Sequence, residues 1–190
     1  MKKRFIALTL ALLTLLALGA CGKKTETGDA PQVEITMKSG GKILLELNPA
    51  AAPVTVENFL KLVDDGFYDG LTFHRIIPGF MIQGGDPDGT GLGGSKDTIY
   101  GEFSDNGWDK NDISHKRGVI SMARKNQPLN SASCQFFITN ADATFLDGGY
   151  AAFGEVLSGM DVVDEISAVA TDANDYPLEP VVIESIRRLS

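Results

Sequence analysis

The chain has 190 residues and a formal net charge of −8, and 43% of its residues are hydrophobic. This size and composition are typical of one globular domain with a core, plus appended segments. Because the acidic chain has no run of Lys or Arg in its body, we expect no nucleic-acid binding.

The first element is a predicted bacterial lipoprotein signal peptide at residues 1–20. Lys2, Lys3 and Arg4 precede an apolar stretch at 5–18, which is too short to span a bilayer comfortably. The sequence LGAC at 18–21 resembles the bacterial lipobox, in which cleavage before the cysteine is coupled to its acylation. We therefore expect lipidation of Cys21 and anchoring to a membrane of the bacterial cell envelope, on the extracytoplasmic side. An ordinary secretory signal with a chance cysteine is the alternative.

Residues 21–31 are polar and without periodicity, and they predict a flexible tether that leads into one domain at 32–190. If Cys21 carries lipid, then Cys134 has no partner within the chain, and no disulfide can form. Cys134 directly precedes an apolar strand, so we interpret it as a small core residue.

The domain is predicted to consist mainly of short strands. The hydrophobic pattern predicts strands at 33–37, 42–47, 118–123, 135–139, 152–156 and 181–189, with a further hairpin at 73–85. A helix starts near Pro53, with Thr55 as its N-cap or first-turn residue, and ends at Gly66, and a second covers 160–168. Many short strands with two helices and no alternation between them predict a closed antiparallel barrel capped by helices.

A glycine-rich loop at 84–94 contains the pattern G-x-G-x-x-G at 89–94. In a dinucleotide site this pattern is followed directly by a helix, and the sequence after residue 94 does not predict one. A Walker A motif is also excluded, because Lys96 follows Ser95 instead of preceding it. We therefore interpret the segment as a flexible rim loop, with a turn at 86–89.

The sequence shows no metal or serine-hydrolase pattern. His74 and His115 lack ligand spacing, and the acidic residues at 86–89 lack the later ligands of a calcium loop. There is no G-x-S-x-G, and neither histidine has an evident serine and acid partner. We expect neither a metal nor a cofactor.

The hairpin at 73–85 carries the strongest functional signal. It places Arg75 and Gln83 among large apolar side chains, with no carboxylate between them. Alternation along the strands predicts that Phe73 and Arg75 share one face, and that Met81 and Gln83 share another. A guanidinium in an apolar pocket and free of an ion-pair partner is suited to donate hydrogen bonds to a ligand.

Five segments in order resemble the cyclophilin family of peptidyl-prolyl isomerases. They are FHR at 73–75, FMIQGGD at 80–86, GVISMA at 118–123, QFFIT at 135–139 and FLDGGYAAFG at 145–154. The resemblance implies an eight-stranded antiparallel barrel capped by two helices. It also implies isomerisation of Xaa-Pro bonds, a monomer, and proline-containing polypeptides as partners.

The resemblance further implies the residues of the site. Arg75 matches the catalytic arginine, and Gln83 and Gln135 match the groups that position the arginine and substrate. Ala123 and the backbone of Arg124 match the segment that binds extended peptide. The residues that match the proline pocket are Phe80, Met81, Phe137, Phe145 and Leu146.

Three positions depart from well-known members of the family. Arg124 stands where asparagine is common, although its role there is largely through the main chain. Phe145 replaces a tryptophan, and Tyr150 stands where a histidine is frequent and can still contact substrate. We expect an isomerase that assists the folding of exported proteins. The alternatives are a non-catalytic proline-peptide binding module or chaperone, and a surface lipoprotein with a vestigial pocket.

Overall fold

A computed structural model describes residues 30–189. The predicted signal peptide at 1–20, the lipidation site Cys21 and all of the tether before Ala30 lie outside the described residues. None of the helices within 30–189 combines the length and the apolar content that a bilayer span requires.

Eight strands form a closed antiparallel barrel, as predicted, and neighbours around it follow the order β1-β2-β7-β5-β6-β4-β3-β8. The strands are β1 (Gln32–Met37), β2 (Lys42–Leu47), β3 (Thr72–Ile77), β4 (Met81–Gly84), β5 (Val119–Met122), β6 (Phe136–Thr139), β7 (Ala152–Ser158) and β8 (Val181–Leu189). The two helices are α1 (Pro53–Asp64) and α2 (Met160–Ser167). Each predicted element is present, with its bounds shifted by two residues or fewer.

The barrel interior is filled by aromatic and aliphatic side chains. Phe59 of α1 lies 5.6 Å, between ring centroids, from Phe136 of β6 and 5.1 Å from Phe153 of β7. Phe73 and Tyr68 meet Phe136 edge-on from other sides. Edge-to-face contacts between rings contribute free energy in addition to that of burying apolar area. These contacts fix α1 against β3, β6 and β7.

Cys134 precedes β6 and has no exposed surface. Burial raises the pKa of its thiol, which disfavours the nucleophilic thiolate. The interpretation of Cys134 as a small core residue is therefore confirmed.

The N-terminus of α1 is capped from a distant segment. Ala52 occupies the N-cap position and offers no side-chain hydrogen bond, while Pro53 needs none at the first helical position. The Glu102 carboxylate, fully buried, accepts the N–H groups of Val54 at 3.0 Å and Thr55 at 2.8 Å, and the Thr55 hydroxyl at 2.7 Å. Of the two predicted roles for Thr55, the first-turn position is the observed one.

Replacement of this cap should weaken the fold. We expect Glu102→Ala to lower the free energy of unfolding by about 2–3 kcal/mol, because buried N–H and O–H donors lose their acceptor. Urea unfolding followed by circular dichroism measures this. Glu57→Ala, on the exposed side of the same helix, is the control and should stay within about 0.5 kcal/mol of wild type. Equal effects of the two variants would contradict the capping role.

Candidate active site

A cavity of about 540 Å³ opens on the outside of the barrel, over β3, β4 and β6. Its lining residues are His74, Arg75, Phe80, Met81, Gln83, Thr90, Gly91, Leu92, Ala123, Arg124, Phe137, Phe145, Leu146, Tyr150 and Tyr176. Of the eleven residues predicted for catalysis and substrate binding, all except Gln135 line it. We call this cavity the cleft.

The floor of the cleft is a small apolar cluster separate from the barrel interior. Met81, Phe137 and Leu146 are buried in it, and Phe80 and Tyr150 pack against it. The strands explain this arrangement, because successive side chains point to opposite faces. The floor can therefore hold a compact apolar group against a rigid sheet.

Phe145 lies at the rim of the cleft. The residue is 75% exposed, and its ring centroid lies 5.3 Å from that of Phe80. Phe80 is itself only partly buried. The two rings extend the apolar surface outward from the floor.

A bulge in β3 turns Arg75 into the cleft. Phe73 pairs with Gly84 and Arg75 with Gln83, so two steps along β3 match one step along β4. The extra residue is His74, which is buried. A bulge of this kind reverses the face on which the following side chains point. The prediction that Phe73 and Arg75 share one face is therefore wrong: Phe73 lies in the barrel interior and Arg75 lines the cleft.

Met81 and Gln83 both line the cleft, as predicted. The residue between them, Ile82, is fully buried in the barrel interior. Gln83 pairs with Phe137 of β6, so a polar and an apolar side chain stand next to each other on the outer face.

An acid lies beside Arg75, contrary to expectation. The Arg75 Nε atom is 3.6 Å from Oδ2 of Asp175, and both side chains are about two-fifths exposed, at 41% and 42%. The prediction of an arginine without an ion-pair partner is therefore wrong. The separation exceeds hydrogen-bond length, and within residues 30–189 the Arg75 side chain forms no hydrogen bond. Its two terminal Nη groups are thus available to a ligand.

The two predicted glutamines form one hydrogen-bonded chain. Gln83 Nε2 donates to Gln135 Oε1 at 2.8 Å, and Gln135 Nε2 donates to the Gly93 carbonyl at 2.8 Å. Gln135 lies behind Gln83 and lines an adjacent cavity of about 290 Å³. It therefore acts on the cleft by orienting Gln83, whose amide oxygen is left as an acceptor near Arg75.

The glycine-rich loop is organised around one buried carboxylate. Asp86 is 1% exposed and accepts the N–H groups of Asp88 at 2.8 Å, Thr90 at 3.0 Å and Gly93 at 3.2 Å. Burial alone would raise the pKa of Asp86, but these backbone hydrogen bonds outweigh it and lower the pKa. The segment is a loop at the rim of the cleft, as predicted, and these hydrogen bonds tie it to the Asp86 carboxylate.

His115 supports the floor from behind. Its Nδ1 atom lies 2.8 Å from Asp147 Oδ1, its Nε2 atom lies 3.0 Å from Ser121 Oγ, and its ring stacks on Phe137 at 6.0 Å. No serine and acid pairing is evident for either histidine in the sequence, whereas the structure brings both partners to His115. Ser121 is fully buried, so the three residues cannot attack a ligand, and they hold Phe137 in place.

Arg124 acts through its side chain as well as its backbone. Its Nε donates to the Gly149 carbonyl at 2.8 Å, and its guanidinium carbon lies 4.7 Å from the Tyr150 ring centroid and 4.9 Å from that of Phe103. The predicted main-chain role is therefore incomplete, because this cation–π contact supports Tyr150. Tyr150 in turn meets Phe137 edge-on.

Sequence reasoning missed Tyr176, which lines the cleft from the segment between α2 and β8. Its hydroxyl donates to the Thr90 carbonyl at 2.6 Å and joins that segment to the glycine-rich loop. Nothing local in the sequence marks Tyr176, because its partner lies 86 residues away. Within residues 30–189 no group of acidic, histidine or cysteine side chains is arranged to hold a metal ion.

The family profile described as cyclophilin type peptidyl-prolyl cis-trans isomerase/CLD matches residues 32–188. The chain belongs to this family. The predicted family, barrel and isomerase activity are thereby confirmed. The cyclophilin cleft described above is the candidate active site.

Curated relatives agree with this assignment. Peptidyl-prolyl cis-trans isomerase ppi1 of Schizosaccharomyces pombe is 47% identical over 75% of this chain and 90% of its own. Peptidyl-prolyl cis-trans isomerase A of the bacterium Dickeya dadantii is 40% identical over 98% of both chains.

Solved structures show the same architecture. A cyclophilin-type isomerase of Cryptosporidium parvum superposes with a TM-score of 0.77 at 32% identity, over 85% of this chain and 98% of its own. A second crystal structure of that protein, in the presence of the dipeptide Ala-Pro, gives a TM-score of 0.73 at 34% identity, over 84% and 99% of the two chains.

Because two histidines are buried, we expect the free energy of unfolding to depend on pH. His74 and His115 are 3% and 1% exposed, and burial lowers the pKa of each below its ordinary value of 6.5. The unfolded chain therefore takes up protons near pH 6.5 that the folded protein does not. The free energy of unfolding should be highest above pH 6.5 and fall below it, by at most about 1.4 kcal/mol per pH unit for each histidine.

Urea unfolding between pH 7.5 and 5 measures this dependence. Asp86 and Asp147, whose pKa values are lowered by hydrogen bonds despite the opposing effect of desolvation, lose their contribution to stability only at more acidic pH. His74→Gln is the control, because removal of one buried histidine should make the dependence shallower. A flat profile for the wild type would contradict the neutral, buried state of the histidines.

Proposed function

We propose that the cleft rotates Xaa-Pro bonds of exported polypeptides, with Arg75 as the catalytic group. The observation that carries this proposal is the position of the Arg75 guanidinium, whose Nη groups are open beside the apolar floor of Met81 and Phe137. The dipeptide Ala-Pro, present with the Cryptosporidium parvum relative, supports a proline-containing ligand for this chain.

The chemistry needs a hydrogen-bond donor and no bond cleavage. Resonance in an Xaa-Pro bond opposes rotation with a barrier of about 18–20 kcal/mol. In the twisted transition state the proline nitrogen becomes pyramidal and regains a lone pair, which the Arg75 guanidinium can approach as a donor. A preorganised donor of this kind contributes about 3–4 kcal/mol in comparable sites. The donor is more effective in a cleft from which the proline ring has displaced water.

The remaining residues position the substrate. Met81, Phe137 and Leu146 would hold the proline ring, and Phe80 and Phe145 would close the rim over it. Gln83, oriented by Gln135, would accept a hydrogen bond from the arginine or from substrate. On the opposite wall, Ala123 and the Arg124 backbone would hold the peptide extended, so that one side of the bond is fixed while the other rotates.

A non-catalytic binding module is the second candidate. The observation that favours it is Asp175, because a carboxylate beside Arg75 could compete with the substrate for the guanidinium. Turnover of a short Xaa-Pro peptide distinguishes the two, since a pure binder would show affinity without acceleration.

We also propose that the protein works from a membrane surface in the bacterial envelope, anchored through lipid on Cys21. The support is the basic segment at 2–4, the apolar stretch at 5–18 and the lipobox-like sequence at 18–21. At this location its clients would be proteins folding after export, whose Xaa-Pro bonds isomerise in tens to hundreds of seconds without catalysis.

The catalytic role of Arg75 is tested by Arg75→Ala. We expect kcat/KM on an Xaa-Pro peptide to fall at least about tenfold, because the transition state loses its donor. A protease-coupled assay measures the rate. Arg188→Ala is the control, because Arg188 pairs with Asp64 of α1, outside the cleft, and its activity should match wild type. An Arg75→Ala rate within twofold of wild type would remove Arg75 from the mechanism.

The anchor is tested with the full chain expressed in a bacterium and labelled with a radioactive fatty acid. We expect label in the wild type, together with recovery in the membrane fraction, and loss of both in Cys21→Ser. Cys134→Ser, which removes the other cysteine, should keep the label. An unlabelled wild-type protein, or a labelled Cys21→Ser variant, would refute lipidation at Cys21.

A further inference from the structure

The segment between α2 and β8 places one acid, Asp175, beside Arg75. Asp175 is the one non-glycine residue within 30–189 whose backbone has a positive φ, at 67°. Asp and Asn tolerate this left-handed conformation better than most residues, but it still costs free energy. Such a conformation persists only where the surroundings determine it.

Several hydrogen bonds determine the position of Asp175. Its carbonyl accepts the N–H of Ile76, the residue that follows Arg75 in β3, at 2.9 Å. Asp172 Oδ1 accepts the N–H groups of Asn174 at 2.8 Å and Tyr176 at 3.0 Å, which closes the turn. The segment is thus fastened to the same strand that carries the arginine.

The side-chain geometry leaves the reactive end of Arg75 free. The Asp175 carboxylate lies on the Nε side of the guanidinium at 3.6 Å. Neither Nη group forms a hydrogen bond within residues 30–189, so both remain available as donors to a ligand. An ion pair as exposed as this one stabilises a fold very little, so its main effect is on the orientation of a side chain with many rotamers.

We propose that Asp175 is a positioning residue for the catalytic arginine. Its charge restrains the guanidinium from the Nε side, so that the Nη groups meet the proline nitrogen in the transition state. This inference rests on the proposed catalytic role of Arg75. It also opposes the reading of Asp175 as a competitor of substrate, because the two readings predict opposite effects on rate.

The test is Asp175→Asn, which removes the charge and keeps both the size of the side chain and tolerance of the positive φ. We expect kcat to fall about three- to fivefold with KM unchanged. In the Arg75→Ala background the same substitution should have no effect, because the group it positions is absent. Raising NaCl from 50 to 500 mM should reduce the difference between wild type and Asp175→Asn, since salt screens an exposed pair.

Glu179→Gln is the matched control, because it removes an exposed charge from the same segment without facing the cleft. It should leave kcat at the wild-type value. Asp175→Gly, which fits the positive φ without strain, provides a second variant and should show the same loss as Asp175→Asn.

The outcomes separate this inference from the proposed function. If Arg75→Ala is impaired and Asp175→Asn is as fast as wild type or faster, then Asp175 is inert or a competitor, and only the positioning role is overturned. A further loss in the double variant would show that Asp175 acts through the fold, which also overturns it. If Arg75→Ala is unimpaired, the catalytic assignment and the positioning role both fail.

Discussion

The bulge at His74 is the constraint on which the cleft depends. Without the extra residue, alternation along β3 would send the side chains of Phe73 and Arg75 to the same face. If both faced the cleft, the barrel core would lose the Phe73 ring. If both faced the core, the Arg75 guanidinium would be buried without water. The bulge resolves this conflict within one strand. It keeps Phe73 in the core and puts Arg75 opposite Gln83 on the outer face.

The same strands close the barrel and build the cleft. Ile82, Phe136 and Ile138 fill the interior, while their neighbours Met81 and Phe137 form the cleft floor. His115, which does not line the cleft, stacks on the Phe137 ring and supports it. Because the site stands on strands whose inner faces pack in the barrel core, its geometry is set by the packing of the whole domain.

The sequence predicted the features that are local and periodic. Strand alternation, the helical spacing after Pro53 and the glycines at turns defined the elements, and the motifs around Arg75 and Phe137 defined the cleft. It did not predict contacts between distant segments. Glu102 caps α1, Asp175 approaches Arg75, and each partner is far away in the chain. The bulge also escaped prediction, because an inserted residue leaves no mark in a pattern that is read with a fixed period of two.

Closure of the barrel has a consequence for an isomerase that binds polypeptide segments. Within residues 30–189 each of the eight strands has two neighbours, so the barrel has no open edge strand in this part of the chain. Open edge strands recruit extended segments of other molecules and seed aggregates. A proline-containing polypeptide can therefore be bound at the cleft and released without being added as a further strand to the sheet.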